Sequence, residues 1–402
     1  MSLKLINGYK FSGISAGIKK NGKLDLGLIY SEKDAICVAS FTKSLLKSNS
    51  IIVSQKHLTV SHKVRAIIAN SGCANTACGK DGIEVTEKIC DNLAKELGVK
   101  KEEVIIASTG IIGEPLPFEK IVRSLELGVW SLANNEKSAV RFAKSIMTTD
   151  TKYKLVVKNV NVGNKKGTIM GIAKGAGMIA PNLEIYKSHA TMLVFLLTDI
   201  MFEYNTMQEL MNDVVLPNFN SFSIDGDTSP NDTIFFVSNG AIGNSKIDVE
   251  NLRNIKTTLN EVCKEIILKL LFDGEGVTKV VKLIIKNCEH KEAEIIAKTV
   301  ANSLLVKTAI NGADPNWGRI LAACGRSGVN FDINKLSIWI GKHQVVKNGN
   351  NNFVKDSVIR KVMLKNFYEI TIDISKQNTT PFIYYTTDLS KKYVDINSKY
   401  KT

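Results

Sequence analysis

Apolar residues recur along this chain with two periods that take turns. Between Ile83 and Leu97, Val85, Ile89, Leu93 and Leu97 fall every four residues and share one helical face. The longest such stretch, Val249–Phe272, repeats Leu252, Ile255, Leu259, Val262, Ile266 and Leu270 at helical spacing. Further helices are predicted over Phe118–Leu132, Lys137–Met147, Tyr204–Val215 and Lys291–Leu305. Short apolar runs between them read as strands: Lys63–Ala69, Val104–Ala107, Lys154–Val162, Gly167–Ile172, Thr233–Ser238, Val277–Ile285, Glu369–Ile374 and Pro381–Thr386. Met192–Leu197 is a further apolar run, and Lys347–Asn352 reads as an exposed loop. The alternation predicts an α/β protein, with no internal repeat and no low-complexity linker.

Composition narrows the class. With 402 residues, 44% of them apolar, the chain can bury one large core or two smaller ones. No apolar run approaches the roughly 20 residues that span a bilayer. The first residues, MSLKLINGYKFSGI, lack the apolar stretch of a signal peptide, so a cytoplasmic location is expected. Seven cysteines, an odd number at irregular spacing, read as thiols rather than a disulfide framework. Cys73 and Cys78 have no second Cys/His pair nearby in sequence, so no metal site is expected there. The net charge of +14 comes from scattered lysine without a basic run or an aromatic-interleaved stripe. That pattern argues against a nucleic-acid partner and fits a field that favours small anions.

Five glycine- or hydroxyl-rich turns stand where strands end: Asn70–Asn75, Ser108–Gly113, Thr148–Thr151, Lys174–Gly177 and Asp273–Gly276. Such ends are where sites are built. Phosphate-loop and dinucleotide fingerprints are absent, and so is GxSxG. Of the five histidines only His189 lies near a candidate nucleophile, Thr191, which heads the apolar run behind KGAGMIAPN. A threonine hydroxyl needs a base. If the Ala190–Thr191 bond breaks, the new α-amino group, with a reference pKa of about 7.7–8.0, lies beside its own Oγ1 and can serve. The break itself could follow attack of Thr191 Oγ1 on the Ala190 carbonyl, amide to ester, and then hydrolysis. The bland alternative is a loop followed by a strand that begins with threonine.

Taken together the motifs resemble the glutamate N-acetyltransferase (ornithine acetyltransferase) family of arginine biosynthesis. The matching blocks are VASFTK (Val38–Lys43), IIANSGCANTACG (Ile67–Gly79), ASTGIIGEPLP (Ala107–Pro117) and MTTDTK (Met147–Lys152). They continue with KGAGMIAPN (Lys174–Asn182), ATML (Ala190–Leu193), DGEGVTK (Asp273–Lys279), DPNWGRI (Asp314–Ile320) and YVDINSKYKT (Tyr393–Thr402). They span nearly the whole chain in order.

The resemblance implies a layered α/β sandwich of the N-terminal-nucleophile-like type, self-cleaved between Ala190 and Thr191 into an N-terminal chain, 1–190, and a C-terminal chain, 191–402. Thr191 would be the nucleophile, and Thr109 and Gly110 the oxyanion hole. Thr148, Lys174, Thr191, Glu275, Asn397 and Thr402 would bind substrate. The implied reaction is ping-pong transfer of acetyl from N-acetylornithine to glutamate, with no metal or organic cofactor. Acetyl-CoA use as a second acetyl donor stays open. Family analogy implies two α and two β chains that remain associated, with no membrane partner. Without the resemblance, Lys174 reads as a surface lysine, Glu275 as a helix-end carboxylate and Thr148 as a cap.

Two departures from the family pattern stand out. LEIYKSH (Leu183–His189) lengthens the connection between the proline motif and Ala-Thr by about six residues, a change that surface loops tolerate. Ala176 stands where KGSGM carries serine. The alternatives are a related N-terminal-nucleophile amidase or aminopeptidase that passes acyl groups to water, and an uncleaved, non-catalytic relative.

Overall fold

The computed structural model describes residues 5–20, 22–42, 44–181, 183–185, 192–244 and 247–399. These fall into two compact units, the first from Met1–Asn220 and Asp227–Leu270, the second from Ser221–Gly226 and Leu271–Tyr400.

The first unit is built on one sheet. Its strands are β1 (Tyr9–Ile14), β2 (Leu26–Phe41), β3 (Lys63–Cys73), β4 (Val104–Ile111), β5 (Lys154–Val162), β6 (Lys165–Lys174), β7 (Glu184–Ile185), β8 (Leu193–Thr198) and β9 (Thr233–Ser238). The order is β4-β3-β2-β9-β8-β6-β5, with β1 and β7 paired to β2. The pairs β3–β4 and β8–β9 are parallel, and the others are antiparallel.

Helices cover both faces, which is why β8 and β9 read as unbroken apolar runs rather than alternating ones. Ala66, Ile68, Val104 and Ile106 face α2 (Gly79–Leu97) and α3 (Phe118–Trp130), in a core with Ile89, Leu93, Ile121 and Leu125. The intervening Ile67, Ala69, Ile105 and Ala107 join Phe142 of α4 (Glu136–Ser145), Phe195 and Phe235 in a second core. Helix α1 (Asn49–Val60) is capped by Ser48, whose hydroxyl accepts from the Ile51 N–H. After α5 (Tyr204–Leu210) and α6 (Leu216–Phe219), the long α7 (Val249–Phe272) lies against β6 at Gly171. A Cβ there would sit 3.0 Å from Val262 and 3.1 Å from Ile266, so the missing side chain lets helix and sheet close.

The second unit carries β10 (Val280–Lys286), β11 (Ser337–Ile340), β12 (His343–Lys347), β13 (Asn350–Asn351), β14 (Phe367–Asp373) and β15 (Phe382–Thr387). They run β13-β12-β11-β14-β10-β15, with only β10–β14 parallel. Its core joins β10, β11 and β14 to α8 (His290–Ala301), α9 (Leu304–Gly312), α10 (Trp317–Gly325) and α11 (Asp356–Met363). The short α12 (Lys391–Asn397) follows the last strand.

The strands over Lys154–Val162 and Thr233–Ser238 and the helix over Val249–Phe272 match the pattern to the residue. Elsewhere the structure differs in instructive ways. β3 extends to Cys73, inside the turn expected at Asn70–Asn75, and β4 to Ile111, inside the one expected at Ser108–Gly113, because a bulge at Gly72–Cys73 keeps the two strands paired there. The helix expected over Tyr204–Val215 closes in a π turn at Met211–Val215. The one over Lys291–Leu305 divides at Asn302–Ser303, where Asn302 leaves the helical backbone. The loop expected over Lys347–Asn352 is a hairpin turn with the β13 pairing.

The expected cleavage point lies inside the first unit. Strands from before it and after it interleave in one sheet, since β8 and β9 sit between β6 and β2. A cut there breaks the chain without dividing the core.

Candidate active site

Thr109 and Gly110 lie near the end of β4, where its pairing with β3 reaches the bulge. Gly110 has φ +136°, and a Cβ at this position would overlap the backbone of Gly72 and Cys73. Only glycine fits the close approach of these two chain segments. Their positions are fixed from a third side by Asn231, just before β9. Its amide donates to Ser108 C=O at 2.7 Å and to Ala74 C=O at 2.5 Å, and its oxygen accepts from the Thr76 hydroxyl at 2.8 Å. Beneath the turn a buried network joins Ser108 to Asn70 (2.6 Å) and to Ser50 (2.5 Å), and Asn75 to Ser50 and Thr86. A fully bonded buried network of this kind gives the turn one conformation.

Lys174 ends β6, buried rather than on the surface, and its Nζ donates to Thr109 Oγ1 at 3.1 Å. The same residue is paired across the ladder with Leu193, two positions after Thr191. Thr148 is half-buried, and its N–H donates to Asp150 Oδ2 at 3.0 Å. Asp150 also accepts from the Gly175 N–H at 2.7 Å and from the buried Lys154 ammonium. It thereby ties the Thr148 turn to the Lys174–Gly175 turn. Burial alone would push its carboxyl up. The charges of Lys174 and Lys154, with hydrogen bonds from Lys154 and the Thr148 N–H, outweigh burial and hold it down at about 2. Lys19 approaches the same field, its Nζ donating to Leu24 C=O and Met147 C=O. Burial lowers its pKa to about 8, opposed by Asp25 and assisted by Lys174.

Thr109, Gly110, Thr148 and Lys174 are thus brought together in the first unit. Glu275 and Asn397 meet within the second. Buried Glu275 accepts from Asn397 Nδ2 at 2.7 Å, and the same amide donates to Tyr393 C=O at 3.0 Å. Gly276, at φ +69°, leaves no room for a Cβ against Tyr393 N at 2.5 Å, and Ser390 Oγ donates to Gly276 C=O at 2.6 Å. Loop and terminal helix are therefore locked together. Ala190, Thr191 and Thr402 lie outside the described residues. Within Leu183–His189, Leu183 exchanges hydrogen bonds with Asn220, and Glu184–Ile185 pairs with Ser40–Phe41 of β2. This part of the expected surface loop is sheet, because β2 extends far enough to offer it an edge.

Asp150, Asn231 and Lys19 surround these residues, and local sequence pattern gives none of them a role. Asp150 stands inside the MTTDTK block, and Asn231 sits in the stretch Ser229–Asp232 that leads into β9. Among the described residues no helix is long and apolar enough to cross a membrane.

A constrained glycine turn stands beside a buried lysine, and the relatives of this chain define its class: the protein is an acyltransferase. The chain belongs to the ArgJ family, whose model matches residues 10–402. It is 36% identical over 403 residues to the "Arginine biosynthesis bifunctional protein ArgJ" of Thermotoga neapolitana, covering 98% of this chain and 99% of that one. It is 36% identical over 400 residues to a "Glutamate N-acetyltransferase" of Methanocaldococcus jannaschii, covering 97% of each. Among solved structures, an ornithine acetyltransferase from Mycobacterium tuberculosis, complexed with ornithine, is 33% identical. That match has a TM-score of 0.43 and covers 46% of this chain and 96% of that one.

Proposed function

We propose that this chain moves acetyl from N-acetylornithine to glutamate through an acetyl-threonine on Thr191, exposed as an N-terminus by cleavage after Ala190. The observation that carries the reading is the 3.1 Å contact of Lys174 with Thr109, next to Gly110 and across the ladder from Leu193. It joins the turn for the oxyanion to the strand that follows Thr191.

In the first half-reaction the Thr191 amine takes the Oγ1 proton as Oγ1 adds to the acetyl carbonyl. Thr109 and Gly110 receive the oxyanion, and the ornithine nitrogen leaves with the proton. In the second, the glutamate amine attacks the acetyl ester, loses a proton to the Thr191 amine and restores the hydroxyl. Splitting the transfer this way replaces one direct exchange between amines by two acyl transfers. Lys174 serves the substrate carboxylate and Glu275 its ammonium, and Thr148, Asn397 and Thr402 also hold the amino-acid substrate. The chemistry uses chain groups alone, without metal or organic cofactor. Whether acetyl-CoA also donates acetyl is decided by the assay below. The two segments, 1–190 and 191–402, stay together through their shared sheet and assemble as two α and two β chains in the cytoplasm.

The test has two parts. N-terminal sequencing of the C-terminal mature chain, 191–402, is expected to begin TMLVFLL, and Thr191→Ala to remain a single 44 kDa band without activity. Acetylation of glutamate is then assayed with N-acetylornithine and, separately, with acetyl-CoA. An intact chain that retains full activity overturns the mechanism, and acetyl release to water without acetyl-glutamate favours an amidase.

A further inference from the structure

Asp232 is fully buried, and among the described residues neither carboxylate oxygen has a hydrogen-bond partner. The other buried carboxylates of this unit are satisfied. Asp25 accepts from the Ala16 and Lys19 N–H groups, Asp199 from Asn7 and Thr168, and Asp150 from three donors. An unpaired buried carboxylate is costly and calls for a specific donor. Burial pushes this carboxyl well above the usual range, with Lys174 the opposing charge.

The backbone around it is pinned. Thr42 N–H donates to Asp232 C=O at 2.9 Å, and the adjacent Asn231 holds the β3 and β4 ends. Thr233 N–H donates to Met192 C=O at 2.8 Å, at the start of the parallel β8–β9 ladder. Asp232 therefore stands immediately before β9, next to the residue bonded to Met192, whose own nitrogen is bonded to residue 191. A rigid, empty acceptor beside the acyl-transfer turn suits a donor that arrives only in the working enzyme. In the intact chain the nitrogen of residue 191 is an amide with one N–H and no charge. Cleavage would convert it to an amine with two or three.

We propose that the Asp232 carboxylate is the acceptor for an amino group that enters this site after maturation, and so positions the groups of acyl transfer. The proposal rests on the acyl-threonine reading above. Two amines share the required chemistry, the new terminus at residue 191 and the amine of the acetyl acceptor. With the first, the carboxylate orients the amine toward its own hydroxyl and raises its pKa. With the second, it orients the attacking nitrogen.

The experiment compares mature wild type with Asp232→Asn. Loss of the carboxylate is expected to lower kcat about 10–100-fold, as misplacement of reacting groups does. If the terminus is the donor, the rising limb of the kcat–pH profile moves to lower pH by about half a unit or more, because the amine loses its stabilising anion. If the acceptor amine is the donor, the limb stays and KM for glutamate rises instead. Unchanged limb and unchanged KM overturn the proposal. A second measurement covers a variant that fails to mature. In the uncleavable Thr191→Ala chain, Asp232→Asn is expected to hold or raise the melting temperature, since a neutral amide replaces an unpaired acid. A clear drop there makes Asp232 structural and likewise overturns it. Failure of wild type to cleave at residue 191 would sink the acyl-threonine reading itself, and a gel reports that separately.

Discussion

The Lys174 ammonium donates its 3.1 Å hydrogen bond to a neutral hydroxyl, that of Thr109, while the carboxylate of Asp150 acts on it as a charge. A buried lysine keeps electrostatic reach toward a substrate anion, because its low-dielectric surroundings screen the charge little. Thr109→Val keeps the shape and deletes the hydroxyl. If that hydroxyl helps stabilise the oxyanion, kcat falls by about 10²–10³-fold, the range for one lost donor. Thr109→Ser is expected to retain most activity. Equal kcat for the Val and Ser variants would leave the hydroxyl without a catalytic part.

Gly110 tests the turn itself. Gly110→Ala imposes a Cβ on a φ of +136° and on the Gly72 backbone, so either the turn shifts or β3 and β4 separate. Expected outcomes are a lower melting temperature and loss of turnover. Wild-type stability with normal kcat would show that the approach of Gly72 and Gly110 is dispensable.

How much of this was legible in the sequence follows from range. Periodicity finds Val249–Phe272 because twenty-four residues sample one helical face many times. It cannot find the end of β4, where Ser108-Thr109-Gly110 looks like a turn and is kept in the sheet by a bulge on another strand. The motif blocks name Thr109, Gly110, Lys174 and Glu275, yet Lys174 reads as a surface residue until its 3% exposure is seen. Asn231 and Asp232 were hidden for the same reason. The carbonyls that the Asn231 amide holds are more than a hundred residues away, and nothing local distinguishes either residue from other turn residues.

Asp150 predicts a pH effect. Its folded pKa of about 2 lies below the unfolded value of about 3.9, so its contribution is present above pH 4 and lost as pH falls toward 2. Asp150→Asn is expected to flatten the stability–pH curve in that window. Asp150→Ala removes the carboxylate that pairs with the buried Lys154 charge and should cost about 3–5 kcal/mol in urea unfolding at neutral pH. A loss under 1 kcal/mol would mean water or a neighbour replaces the carboxylate.

The Glu275–Asn397 bond of 2.7 Å predicts that the chain end matters to its own unit. Tails usually tolerate trimming. Here, deletion of Asn397–Thr402 removes the amide that orients Glu275, and KM for the amino-acid substrate is expected to rise while cleavage proceeds. Asn397→Asp should be worse than Asn397→Ala, because it opposes two carboxylates. Kinetics equal to wild type in the deletion would reduce the contact to a packing detail.

The connection before Thr191 can now be dissected. Leu183 is tied to Asn220, and Glu184–Ile185 to β2, so a deletion that begins at Leu183 removes sheet pairing as well as length. Removing Tyr186–His189 alone shortens the connection and leaves those bonds in place. If cleavage depends on strain ahead of Thr191, this shorter chain is expected to mature faster. Mature enzyme should then match wild type in kcat/KM, because the removed residues lie on the departing side of the bond. A change in kcat/KM of the fully mature variant would instead make Tyr186, Lys187 or His189 part of the substrate site. Asn220→Ala supplies the control. It loosens Leu183 without shortening anything, and slower maturation in that variant would show that the anchor, rather than the length, sets the geometry of the break.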